Sequence, residues 1–118
     1  RLVVYTKDKV QTIPPALRER YFMFAGAHET AEYAVKDSLK RLISFRRLNL
    51  SQPPFPMKGP FDVIMCRNVM IYFDNRVRTN LIREAYRLLR PGGYLMVGHA
   101  ESLTGIATEF KTICRRFM

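Results

Sequence analysis

The chain has 118 residues, of which 47% are apolar, enough to core one domain or part of one and too many for a disordered segment. No apolar run approaches the ~18 residues that cross a bilayer, and no apolar stretch followed by small residues opens the chain, so neither membrane insertion nor a signal peptide is expected. The formal net charge of +10 asks for an acidic partner, but the arginine clusters at residues 18–20, 46–47, 76–78 and 115–116 are short and not interleaved with aromatics, so no nucleic-acid platform is expected.

In chain order, Leu2, Val3, Val4 and Tyr5 form a candidate short strand. Pro14 and Pro15 open a helical turn in PPALRERYF, because proline is pre-organised for a first helical position. Gly26 interrupts the pattern. The stretch 32–45 fits a helix in part and two strands in part; extended structure is favoured at residues 33–36 and 43–48. SQPPFPMKGP, residues 51–60, holds four of the seven prolines and reads as a connecting loop.

FDVIMC follows, apolar except for Asp62, as in a strand buried on both faces. Residues 75–90, NRVRTNLIREAYRLLR, form the clearest helix. Val77, Leu81, Ile82, Ala85, Leu88 and Leu89 mark its apolar stripe, and Arg76, Arg78, Arg83, Glu84 and Arg87 populate the other side. Asp74 is placed to cap its first turn, and Pro91, Gly92 and Gly93 to end it. YLMVG, residues 94–98, is a second buried strand, and 109–118 a final edge strand.

Strand, helix and strand in this order make a βαβ crossover, which implies an α/β fold with a parallel sheet. Ligands of such sheets sit beyond the carboxyl ends of the strands. Arg67 and Asn68 occupy that place after the first strand, His99 and Glu101 after the second, and Asn49 after the stretch that precedes the loop. Taken alone, Asn49 fits an ordinary strand end better than a ligand contact, because its side chain bonds its own backbone. A guanidinium buried at a strand tip is costly unless it meets an anion or acceptors, so Arg67 is a stronger pointer to a ligand. Tyr72 carries a polar end that needs a partner, whereas Phe73 suits the core.

No glycine-rich phosphate loop of either common type and no GxSxG is present. His28 and His99 are isolated, and the spacing of Cys66 and Cys114 matches no zinc pattern, so no metal site is expected. Both cysteines lie in apolar stretches, as buried thiols of a reducing, cytoplasmic compartment do.

CRNVMIYF at residues 66–73, preceded by GPFD and followed by a helix, LLRPGGYLMVGHAES and EF, resembles the CheR-type protein-glutamate methyltransferases of bacterial chemotaxis. RYFMFAGAHE and FRRLNL upstream are similar to the same family, and the similarity runs over nearly the whole chain from Pro14 onward. The resemblance implies a Rossmann-like class I S-adenosylmethionine methyltransferase fold. It implies cofactor contacts at Asn49, Leu50, Arg67 and Asn68, with Tyr72 near the methyl group. It also implies a small antiparallel β-subdomain at residues 21–43, ahead of the sheet and crossover helix at 44–118. The implied substrate is glutamate on the cytoplasmic domain of a methyl-accepting chemoreceptor.

The family's first core strand, acidic cofactor loop, ribose-binding strand end and helical domain would all precede Arg1, which is not an initiator methionine. Residues 1–118 therefore correspond to the carboxyl half of one methyltransferase domain. That half alone is expected to bind cofactor poorly, not to turn over, and to expose an apolar sheet edge that makes self-association possible. The competing expectations are a non-catalytic docking module for a receptor or partner, and a nucleic-acid-modifying methyltransferase sharing the fold. CRNVMIYF argues against the last, because amino-methylating enzymes usually carry an Asp/Asn-Pro-Pro-aromatic motif at this strand end.

Overall fold

The computed structural model describes residues 3–26, 31–106 and 108–113, which fall into two compact units, Arg1–Arg47 and Leu48–Met118. His28 and Cys114 lie outside the described residues.

The first unit is a small antiparallel sheet. Its strands β1 (Val4–Thr6), β2 (Phe22–Phe24) and β3 (Glu32–Val35) run in the order β1-β3-β2, with Val4 opposite Ala34 and Phe22 opposite Val35. Two helices separate β1 from β2: α1 (Lys7–Val10) and α2 (Pro15–Tyr21), the latter starting on proline as expected. Ala34 and Val35 on the central strand and Val10 on α1 are the buried apolar residues. Edge-on ring pairs bridge the strands, with centroids 6.3 Å apart for Tyr5 and Phe22 and 5.6 Å apart for Phe24 and Tyr33. A short helix α3 (Asp37–Lys40) follows β3.

Extended structure was expected at residues 43–48, but they form no strand. Their backbone has no neighbour in either sheet, and without a ladder partner apolar content alone does not make a strand. Phe45 is accordingly 88% exposed.

The second unit is the βαβ crossover. β4 (Phe61–Cys66) and β5 (Leu89–Val97) pair in parallel, joined through a 3-10 turn at Met70–Tyr72 and the helix α4 (Asn75–Leu88). The Asp74 carboxylate accepts the N–H of Val77 at 2.9 Å and caps α4 as its position foretold. Leu81, Ile82 and Leu88 of the helix meet Phe55 and Met70 in one buried cluster, against which Phe61, Ile64, Leu95 and Val97 of the strands pack.

In this unit three features of the strands and helix ends differ from expectation. β4 is not buried on both faces: Ile64 and Cys66 reach the cluster, while Val63 and Met65 are exposed, because α4 covers a single face of this two-stranded sheet. The helix ends at Leu88, and Pro91, Gly92 and Gly93 lie inside β5 rather than before it. There the register slips: Phe61 pairs with Leu89 and Val63 with Tyr94, so the β5 strand carries extra residues at its amino end. Gly92 takes the positive φ of 75° that this bulge requires. Finally, residues 109–113 form no strand, and 114–118 lie outside the described residues.

Glu84 was expected on the solvent side of α4 but is buried. Its carboxylate accepts the N–H of Phe55 at 2.7 Å and pairs with Arg87 at 2.7 Å, while Arg87 also donates to the Phe55 carbonyl. Prolines remove donors from this loop, and its only short internal bond among the described residues runs from the Met57 N–H to the Phe55 carbonyl at 2.8 Å, so the helix supplies the acceptor that the Phe55 N–H lacks and a second donor to that carbonyl. The Arg87 guanidinium, and secondarily the Phe55 N–H, hold the Glu84 carboxyl below the usual range against the opposing effect of burial.

Candidate functional site at the strand tips

β4 and β5 end side by side, with Cys66 opposite Val97. Beyond Cys66 the chain must leave the sheet and turn into the 3-10 segment, and it does so through Asn68, whose φ is 59°. Asparagine is among the few side chains that enter this left-handed region readily. The turn leaves the next amides pointing at no carbonyl, and a side chain from the other strand tip fills the gap.

That side chain is Glu101, which is 5% exposed. One carboxylate oxygen accepts the N–H groups of Val69 at 2.7 Å and Met70 at 2.6 Å; the other accepts those of Asn68 at 2.8 Å and Gly98 at 2.7 Å. The Glu101 N–H itself donates to the Gly98 carbonyl at 3.0 Å, closing a tight turn after β5. Burial pushes the Glu101 carboxyl up, but the N–H groups of Gly98, Asn68, Met70 and Val69 together outweigh it and leave it below the usual glutamate range. The same burial, reinforced by the Glu101 charge, pushes the half-buried Cys66 thiol up, so Cys66 remains a thiol at neutral pH.

Gly98 allows the two tips to approach. A Cβ there would stand 2.6 Å from the Asn68 Oδ1 and 2.6 Å from a Glu101 oxygen. The loop after Glu101 is tied to α4, where an Arg78 Nη donates to the Ser102 carbonyl at 2.7 Å.

The residues singled out by sequence fall around this lattice. Arg67 and Asn68 occupy the carboxyl end of β4 with exposed side chains, so Arg67 is not the buried guanidinium that its position in an apolar run suggested. Tyr72 stands in the 3-10 turn, 80% exposed. Met70 beside it is 1% exposed and anchors that turn in the core. Leu50 packs against the cluster that contains Met70, so the segment bearing Asn49 and Leu50 and the β4 tip rest on one core. The Asn49 Oδ1 accepts from the N–H and hydroxyl of Ser51, at 3.1 and 2.7 Å. This is the local turn its residue type favours, and it leaves the amide nitrogen outside both bonds.

Glu101 is the residue whose role sequence reading mistook. Placed at a strand tip, it suggested a group facing a ligand; the structure turns it inward onto backbone amides. His99 beside it is exposed. Among the described residues, no group of three or more His, Cys, Asp or Glu side chains gathers as a metal site would require, and no helix is long and apolar enough to cross a membrane.

The chain matches the family described as CheR methyltransferase, SAM binding domain, over residues 1–117. It is 36% identical over 102 residues to the chemotaxis protein methyltransferase of Borreliella burgdorferi, covering 86% of this chain and 35% of that protein. To the corresponding Klebsiella aerogenes protein it is 36% identical over 107 residues, 91% of this chain and 37% of the relative. To the probable chemotaxis protein methyltransferase of Rhizobium etli it is 38% identical over 107 residues, 91% of this chain and 40% of the relative. The chain thus spans little more than a third of the length of the curated relatives it matches. With its family matched over nearly every residue and its strand-tip motif in place, the chain belongs to the CheR methyltransferase family and lies in its SAM-binding domain.

Proposed function

We propose that residues 1–118 form the carboxyl half of a Rossmann-like class I methyltransferase domain that transfers a methyl group from S-adenosylmethionine to glutamate side chains of a chemoreceptor's cytoplasmic region. The observation that carries this reading is the β4 tip. Arg67 and Asn68 stand exposed at the carboxyl end of a parallel strand, on a backbone fixed by Glu101. Ligands of parallel sheets bind beyond such ends. The names of the relatives add the reaction class and its setting in chemotaxis.

The residues present suit the cofactor in chemistry. Asn68, Arg67 and the amide nitrogen of Asn49 supply polar groups, and Leu50 an apolar one, as an adenosine and amino-acid ligand demands. When bound, S-adenosylmethionine supplies the activated methyl group. The chain's own contribution is to hold and orient. A glutamate carboxylate has an ordinary pKa of about 4.3 and is already ionised at neutral pH, so no residue here need remove a proton. Tyr72 donates a hydrogen bond that aims the incoming carboxylate oxygen along the line of the bond to be broken. Esterification removes one negative charge from the acceptor helix, which is how it reaches the signalling state of a receptor.

The test is a calorimetric titration with S-adenosylmethionine, with transfer of labelled methyl to a receptor cytoplasmic domain. In the full natural polypeptide, binding and base-labile incorporation are expected, with Arg67→Ala weakening binding about tenfold. Tyr72→Phe should lower the rate more than the affinity. The 118-residue chain by itself should bind poorly. Tight receptor binding by a natural polypeptide that takes up no cofactor would replace this reading with the docking module.

A further inference from the structure

The geometry points to Glu101 as a positioning residue of the cofactor site: its carboxylate fixes the left-handed turn at Asn68 and thereby sets where the Arg67 and Asn68 side chains stand. This inference rests on the methyltransferase reading above and concerns a residue whose carboxylate is turned onto backbone amides.

Glu101 is almost fully buried, yet among the described residues it meets no cation; its carboxylate accepts four backbone N–H groups. Three of those groups belong to consecutive residues of the β4 tip and the fourth to Gly98 on β5. A carboxylate in this setting acts as a template. It holds Asn68, Val69 and Met70 in one conformation, because their three N–H groups find their acceptor in Glu101, and asparagine at φ 59° accepts the left-handed turn that aims them there. The register of the two strands then passes directly to the side chains that flank the held amides. Gly98 is part of the same device, since any larger residue would strike both the Asn68 amide oxygen and the Glu101 carboxylate. Met70 locks the far end of the turn into the core, so a shift at Glu101 is transmitted to residues 67–69 rather than absorbed beyond them.

The test compares variants in the full natural polypeptide. Glu101→Gln keeps the shape of the side chain but offers only one acceptor oxygen to four donors. It should weaken S-adenosylmethionine binding tenfold or more, on the order of what the loss of charge-assisted bonds at one site brings. Glu84→Gln breaks a comparable buried carboxylate at the proline-rich loop and serves as the control: it should lower the melting temperature similarly and leave cofactor affinity unchanged. Glu101→Asp keeps the charge but shortens the reach, and should recover affinity only in part. Amide hydrogen exchange at Asn68, Val69, Met70 and Gly98 should quicken in Glu101→Gln and stay slow in Glu84→Gln. Should Glu101→Gln fail to fold, Gly98→Ala displaces Asn68 from the opposite side and is expected to give the same loss of affinity. Native affinity in a folded Glu101→Gln protein, or equal losses in the Glu101 and Glu84 variants, would overturn the positioning role alone. A native polypeptide that takes up no S-adenosylmethionine would overturn the methyltransferase reading and this role with it.

Discussion

The two units of the chain satisfy their backbones by opposite means. In the antiparallel sheet, β3 lies between β1 and β2 and bonds to both, so neighbouring strands supply most of the partners. In the βαβ unit, the strands pair along their length, but the proline-rich loop and the β4 tip are left with amides that no strand or helix can accept. Buried carboxylates reach them from far along the chain: Glu84 to Phe55, and Glu101 to Asn68, Val69 and Met70, with Glu101 also holding the nearby Gly98 N–H. Both arrangements join residues some 30 positions apart, as Val4 with Ala34 and Phe55 with Glu84 show, but the antiparallel ladder does so backbone to backbone, whereas the tips of the parallel crossover are held by side chains.

The sharpest way to break that contrast is to delete an acceptor. Glu101→Ala strands four amides and should cost about 4 kcal/mol or more of unfolding free energy in urea, since each orphaned buried donor is expensive. A loss below about 1 kcal/mol would mean that water satisfies the tip as well as the carboxylate does. Truncating the core is the next largest. Leu88→Ala, in the cluster of the βαβ unit, should cost about 3 kcal/mol. Val35→Ala in the antiparallel sheet should cost only about 1–2 kcal/mol, because fewer methyl groups leave a thinner core.

Acid sharpens the comparison from another side. Glu101 and Glu84 both have carboxyls depressed below their unfolded value. The folded form therefore binds fewer protons, and their contribution is fully present above about pH 4.3 and lost as pH falls through the depressed values. The effect should be smaller than deletion, because a protonated carboxyl keeps acceptor capacity. Asp37 is depressed too, chiefly by its bond to Lys40, but it is exposed and screened. Denaturation from pH 7 to pH 3 should thus show an acid loss that shrinks in Glu84→Gln and Glu101→Gln and persists in Asp37→Asn.

Asp74→Ala removes the cap of α4 and should cost about 1 kcal/mol, read as a shift in the urea midpoint. Smallest of all is Asp62→Asn. It breaks the exposed Arg90 pair across β4 and β5, so a change under about 0.5 kcal/mol is expected.

Periodicity made α4 and its Asp74 cap legible, and the switch from apolar runs to a proline cluster and back located β4 and β5. These are local signals, carried by residues within a few positions of one another. The strand expected at residues 43–48 was lost because a strand exists only with a neighbour, and nothing in a single run of residues states whether one is present. Glu84 and Glu101 were misplaced for a related reason. A carboxylate in a helix or after a strand reads as solvent-facing, and only the fold brings it to amides 29 and 33 residues away. At the candidate site the residue types of Arg67, Asn68 and Tyr72 were readable as a polar tip on an apolar strand; the device that shapes the tip was not.

The bulge in β5 bears on how such a chain can vary in length. Parallel strands must be bridged by a crossover whose span has to match the sheet, so any inserted or deleted residue threatens to drag the second strand out of step. Here the surplus is taken up at Pro91, Gly92 and Gly93, beside Phe61, at the amino end of the strands. The ends that carry Arg67, Asn68 and Gly98 lie some 16 Å further along, by the rise of an extended chain. The bulge works as an expansion joint: length changes between α4 and β5 can be absorbed there while Cys66 stays level with Val97.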